Sequence, residues 1–180
     1  MTSTEVFESV TNGGSTDFAL VVRVLASYQP WCLIGGLAVN CYVEPVFTLD
    51  ADIVVVSAKI KAIEAALRVA GFTVESFEHS LNANMPGSDL RIQFTLDDRY
   101  QAFVNRAEVH EVLGQQVPIA SLSDVVQGKV WAWQDEKRRA SKRKKDELDL
   151  MRILEAYPET RQMMPQRICE QVPDSNQKGF

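Results

Sequence analysis

Along the chain the apolar residues switch between helical spacing and strict alternation, and each switch predicts an element boundary. Asp17 to Ser27 has the spacing of an amphipathic helix that stops before Pro30. Trp31 to Ile34 reads as a short buried strand, ended by Gly35-Gly36, and helical spacing resumes through Tyr42 until Pro45 closes it. A strand-like run from Phe47 to Val56 follows, then a helical pattern from Ala58 to Ala70 with Gly71 at its C-terminal stop, then an alternating segment from Phe72 to Phe77. The turn formers Asn82, Asn84, Pro86 and Gly87 predict a loop over His79 to Ser88. Leu90 to Leu96 alternates cleanly, with Leu90, Ile92 and Phe94 on one face and Arg91, Gln93 and Thr95 on the other. Ala107 to Leu113 and Gln116 to Ala120, flanking Gly114-Gln115, predict a hairpin. Ser121 to Asp124 fits a capping sequence that launches a helix through about Lys137. A basic segment leads to a helix from Asp146 to Tyr157, and Glu159 to Val172 reads as a helix broken at Pro165. Met1 to Ser15, with Gly13-Gly14 and many hydroxyl residues, is expected to be loose at its start.

One strand carries candidate chemistry. Side chains in a strand alternate faces, so Asp50 and Asp52 project to the same side while Ala51 and Ile53 face the other. Two such carboxylates repel each other unless a cation intervenes, and a divalent metal supplies both the missing charge and an appetite for oxygen ligands.

Composition narrows the setting. A chain of 180 residues, 46% hydrophobic and 24% charged, is expected to form one domain with a sizeable core. The boundaries expected are a core over residues 1–136, a basic segment with C-terminal helices packed on it over 137–172, and a polar tail over 173–180. No apolar run approaches the roughly 18 residues that span a bilayer, and the polar, acidic N-terminus does not resemble a signal peptide. The expectation is a cytoplasmic protein with no membrane partner. Cys32, Cys41 and Cys169 have unrelated spacings and are read as free thiols. The net charge of -5 argues against a surface coated in basic residues.

The Gly35-Gly36 turn, a helix, and Asp50-x-Asp52 opening a strand together resemble the signature of the polymerase-beta-type nucleotidyltransferase superfamily. Val117 to Val126, then Lys129, then Lys144-Lys145-Asp146-Glu147-Leu148-Asp149-Leu150 resemble the closing motifs of the minimal bacterial nucleotidyltransferases of AbiEii type. Three motifs in this order cover roughly Trp31 to Leu154, most of the chain. The resemblance implies an α/β (α+β) nucleotidyltransferase fold: a mixed central sheet flanked by helices, with a small C-terminal helical region. It implies transfer of a nucleoside monophosphate from a nucleoside triphosphate to a hydroxyl on RNA, protein or a small molecule, with one or two Mg2+ ions as cofactor. Asp50 and Asp52 would be the metal ligands, Gly35 and Gly36 would shape the phosphate turn, Lys129 would contact phosphate, and Asp146 would be a further polar site residue. Because the AbiEii group includes toxins of toxin-antitoxin and phage-defence systems, a cognate antitoxin or other protein partner is implied as well.

Two positions depart from the family pattern. Where many members carry a third carboxylate on the neighbouring strand, this chain has Gln93, and where they carry Arg before the aspartates it has Val46. These departures keep open a second reading, a weak or inactive relative that binds nucleotide or a protein partner. Between Lys137 and Lys145 only Ala140 and Ser141 are not basic, enough local charge to attract an RNA acceptor. The same strip disfavours a polycationic, aminoglycoside-like acceptor. His79 and His110 lack metal-ligand spacing and are expected at the surface, and Trp31, Trp131 and Trp133 are expected in the core rather than as base-stacking platforms.

Overall fold

In the computed structural model, which describes residues 2–173, the chain opens with helices α1 (Ser3–Val10) and α2 (Gly14–Leu25). Strand β1 (Trp31–Ile34) runs straight into the short helix α3 (Gly35–Val39), and β2 (Asp50–Val55) and α4 (Ile60–Val69) follow. Then come β3 (Thr73–Ser76), β4 (Ser80–Asn84), β5 (Arg91–Thr95), a 3-10 segment (Asp98–Asn105), and the hairpin β6 (Glu108–Val112) and β7 (Gln115–Ile119). Helices α5 (Leu122–Gln134), α6 (Ala140–Ala156) and α7 (Gln166–Gln171) complete the order.

All seven strands belong to one mixed sheet in the order β3-β4-β5-β2-β1-β7-β6. β2 lies at its centre, antiparallel to β1 and parallel to β5. Alternation decides what each face does. Ala51, Ile53, Val74, Leu81, Ala83, Ile92 and Phe94 are buried, and they share a core with Phe18, Val21 and Leu25 of α2 and Ile63 and Leu67 of α4. On the other face of the same four strands, Asp50, Asp52, Glu75, Asn82, Asn84, Arg91 and Gln93 escape full burial. One register row crosses that face: Glu75 pairs with Asn82, Asn82 with Gln93, and Gln93 with Asp52.

Three expectations are corrected. The start of the chain is helical, because Thr2 and Glu5 form a reciprocal capping box and Phe7 buries itself in the core. The predicted loop over His79 to Ser88 contains β4, whose backbone pairs on both sides and whose Leu81 and Ala83 supply the apolar face. Tertiary pairing overrides the turn preference of Asn82 and Asn84. The third concerns the basic segment, which is not a separate connector: α6 begins at Ala140 and carries Lys142 to Lys145 in its first turns. Lys and Arg are good helix formers, and Lys142 and Lys144 find carboxylate partners that relieve the repulsion. The polar tail expected over 173–180 lies, apart from Pro173, outside the described residues.

Candidate functional site

Asp50 and Asp52 do share a face, as their strand parity requires. Asp52 abuts the turn between β1 and α3. Gly35 there has φ +70°, and a Cβ at that position would stand 2.1 Å from Asp52 Oδ2, so only glycine admits both the left-handed backbone and the carboxylate. Among the described residues no hydrogen-bond donor reaches the Asp52 carboxylate. Burial pushes its pKa above the usual carboxylate range, with Lys129 acting in the opposite sense. Asp50 is held differently. Arg91 donates Nε–H to its Oδ1 at 2.8 Å, and Lys142 pairs with its Oδ2. Burial alone would raise the Asp50 pKa, but the two cations outweigh it and hold the carboxyl below its ordinary value.

Behind the aspartates lies a buried ionic knot. Lys129, 7% exposed, points from α5 to Asp146 Oδ1 at 2.9 Å and to Asp149 Oδ2 at 2.7 Å on α6. Burial works against its charge, but the two carboxylates prevail and raise its pKa. Arg138 holds the other oxygen of Asp146 at 2.7 Å, and Arg152 holds Asp149 at 2.8 Å. Lys129 and Asp146 are therefore brought together beside Asp52, as partners of each other. Lys145, also expected within the basic strip, donates to Thr48 Oγ1 at 3.1 Å. Thr48 Oγ1 in turn lies 3.3 Å from where a Cβ on Gly36 would be.

Two cavities meet at this centre. The first, about 300 Å³, is lined by Gly35, Asp52, Lys129 and Asp146 at one end and by Asp97, Arg99, Tyr100 and Trp131 at the other. The second, about 470 Å³, runs over the polar sheet face past Asp50, Asn82, Asn84, Ser88, Arg91 and Lys142. Asp52, Gln93 and Arg138 line both. The shared wall gives two separate approaches to the Asp52 carboxylate, with Asp50 on the second.

The sequence profile of the nucleotidyl transferase AbiEii toxin family, of type IV toxin-antitoxin systems, matches residues 23–176. The chain belongs to that family. Membership makes this AbiEii-family protein a nucleotidyltransferase. No curated protein sequence matches it. Solved structures with similar folds include ANT(2'')-Ia in complex with adenylyl-2''-tobramycin, at TM-score 0.60 and 13% identity over 88% of this chain and 98% of that one. The lincosamide antibiotic adenylyltransferase LnuA, lincomycin-bound, matches at TM-score 0.52 and 12% identity over 77% and 96%. The Thermotoga maritima protein TM1012 matches at TM-score 0.51 and 17% identity over 68% and 86%. At these identities the likeness is one of fold, and it agrees with the mixed sheet and flanking helices seen here.

The chemistry of the donor set bears on a metal. Among the described residues no group of three or more His, Cys, Asp or Glu side chains could hold one unaided. Mg2+ usually binds through one or two carboxylates plus substrate phosphates, so Asp50 and Asp52 of this AbiEii-family protein fit that ion in the company of a triphosphate. Gln93 is the cross-strand neighbour of Asp52 in register, the position expected for the missing third carboxylate.

Four participants escaped the sequence reading. Asp149 was legible in principle as the i+3 neighbour of Asp146, and Arg91 as sharing the strand parity of Gln93. Lys142 reaches Asp50 across 92 residues of chain, which no local pattern reveals. Trp131, expected in the core, packs against it and also lines the first cavity, while Trp31 is buried as expected. The three cysteines are free thiols, and no helix among the described residues is long and apolar enough to cross a membrane.

Proposed function

We propose that the protein transfers a nucleoside monophosphate from a Mg2+-bound nucleoside triphosphate to a hydroxyl of an RNA acceptor, as the toxin of a cytoplasmic toxin-antitoxin pair. The observation that carries this reading is the placement of Asp50 and Asp52 on one face, against the Gly35 turn, where two cavities join. Asp50 and Asp52 would hold Mg2+, which when bound supplies positive charge to the phosphates of the donor. Gly35 and Gly36 leave room for phosphate oxygens to approach backbone N–H groups. Lys129 keeps Asp146 and Asp149 neutralised, so that α6 stays in place and Lys142 and Lys145 face the aspartate strand. The acceptor oxygen forms a bond to the α-phosphorus as the bond to pyrophosphate breaks, the hydroxyl proton leaves to solvent, and the Gln93 amide takes no part in its removal. The RNA acceptor rests on the basic start of α6 beside the site, and the antitoxin on the family's character.

A second reading is favoured by a specific observation: Asp50 is already paired with Arg91 and Lys142, and Gln93 replaces a carboxylate. On that reading the protein binds nucleotide and transfers little. Incubation with each α-labelled nucleoside triphosphate, Mg2+ and total RNA separates the two. Label transfer that is abolished by Asp50→Ala with Asp52→Ala supports the transferase. Thermal stabilisation by nucleotide and Mg2+ without any transfer supports the binding protein.

A further inference from the structure

We propose that the aromatic end of the first cavity is the nucleobase subsite, with Trp131 and Arg99 as its stacking surface. The inference rests on the nucleotidyltransferase reading and assigns a part of the site that the aspartates leave undefined.

Trp131 projects from α5 two residues beyond Lys129, so the helix that reaches the ionic knot with one side chain reaches the cavity's far wall with another. The wall is prebuilt. Phe103 stacks on Trp131 with ring planes 10° apart, and Tyr100 meets the same indole edge-on at 5.2 Å between centroids. Gly128 lets Tyr100 come in this close, since a Cβ there would lie 3.1 Å from the phenol ring. The Arg99 guanidinium lies over the Trp131 ring, 5.1 Å from its centroid. It is held there by Asp97, which accepts from Nε at 3.0 Å and from Nη2 at 2.7 Å.

A planar cation fixed on an indole is a surface on which an aromatic ring stacks, and base-on-aromatic or base-on-guanidinium stacking recurs wherever unpaired bases are bound. Asp97 already takes the Nε and Nη2 donors of Arg99, so what the guanidinium offers the cavity is chiefly its face. It suits a ring. Along the same cavity Thr95, from β5, and Ser80, from β4, offer hydroxyls for the edge of that ring, and Gly35 with Asp52 marks the end at which the phosphates would lie. A nucleoside triphosphate laid along the cavity puts its base on Arg99 and Trp131 and its phosphates at the aspartates. The second cavity is left for the acceptor.

The test is calorimetric titration of the full chain with ATP, GTP, CTP, UTP and inorganic tripolyphosphate, each with Mg2+. It is run on the native protein, Trp131→Ala, Trp131→Phe and Arg99→Ala. The expected result is loss of nucleoside triphosphate affinity by about tenfold or more in Trp131→Ala and Arg99→Ala, near-native binding in Trp131→Phe, and tripolyphosphate affinity unchanged throughout. Arg99 is largely exposed, so its variant remains informative if Trp131→Ala fails to fold. Unchanged nucleotide affinity in a folded variant overturns the subsite while the transferase reading stands. So does an equal loss of nucleotide and tripolyphosphate in Arg99→Ala. Failure of the native protein to bind any of the five overturns both.

Discussion

The Lys129 ammonium stands 2.9 Å from an Asp146 carboxylate oxygen and 2.7 Å from one of Asp149, and all three side chains are withdrawn from solvent. Removing the lysine strands two buried carboxylates. Lys129→Ala is expected to cost about 3–5 kcal/mol of stability, the range for breaking a buried pair by deleting one partner. Lys142→Ala, whose ammonium is part-exposed, is expected to cost under about 1 kcal/mol. Urea unfolding monitored by circular dichroism checks both, and equal losses would refute the distinction drawn between knot and rim.

Gly35→Ala tests the contact between the turn and Asp52. The left-handed backbone alone costs a side chain about 1–2 kcal/mol, and the added methyl must push Asp52 aside. Reduced stability is therefore expected together with loss of label transfer. A variant that transfers normally would show that Asp52 does not depend on this turn.

Gln93→Glu restores a third carboxylate beside Asp52 on an exposed position of the polar sheet face. Without metal a loss of about 0.2–1 kcal/mol is expected, because the new carboxylate faces Asp52 across the strand pair. The Mg2+ concentration giving half-maximal transfer should fall, because an added oxygen anion favours the cation. A magnesium titration of transfer rate reads this directly, and an unchanged requirement would make Gln93 a bystander.

Glu8 controls a pH response far from the site. Its carboxylate accepts from the Ser15 and Thr16 hydroxyls and from both backbone N–H groups at the start of α2, which holds its pKa down to about 2. A depressed carboxylate pKa contributes stability above the ordinary value of 4.5, and that contribution is lost as pH falls from 4.5 through about 2. Glu8→Gln should cost about 0.5–1 kcal/mol at pH 7, allowing for solvent screening. The gap from native should close below about pH 2, measured by thermal unfolding across pH. A gap that persists unchanged at low pH would assign the effect to packing.

Part of the centre was legible because strand parity is rigid: Asp50 and Asp52 had to share a face, while the place of Gln93 beside them followed from the family resemblance and is seen in the register of β2 with β5. The parts that were not legible depend on contacts between distant segments. Asn82 and Asn84 look like turn residues locally, yet they serve as the polar side of a strand whose buried side is Leu81 and Ala83. The Lys137 to Lys145 run looks like a free polycation, but the fold sets Arg138 against Asp146, Lys142 against Asp50 and Lys144 against Glu147. Three of its seven cations are thus tied to carboxylates, a role no spacing rule predicts. The opening helix was different: its capping box, Thr2 with Glu5, was present in the sequence as a local signal.

The match to the family begins at residue 23, yet α2 buries Phe18 and Val21 ahead of that point, and the Asp89 backbone N–H donates to the Thr11 carbonyl at 2.9 Å. A polypeptide trimmed to the family boundary would expose the apolar underside of the sheet and untie the approach to β5, and with it the footing of Arg91 and Gln93. The segment ahead of the family match thus helps to keep the matched part seated.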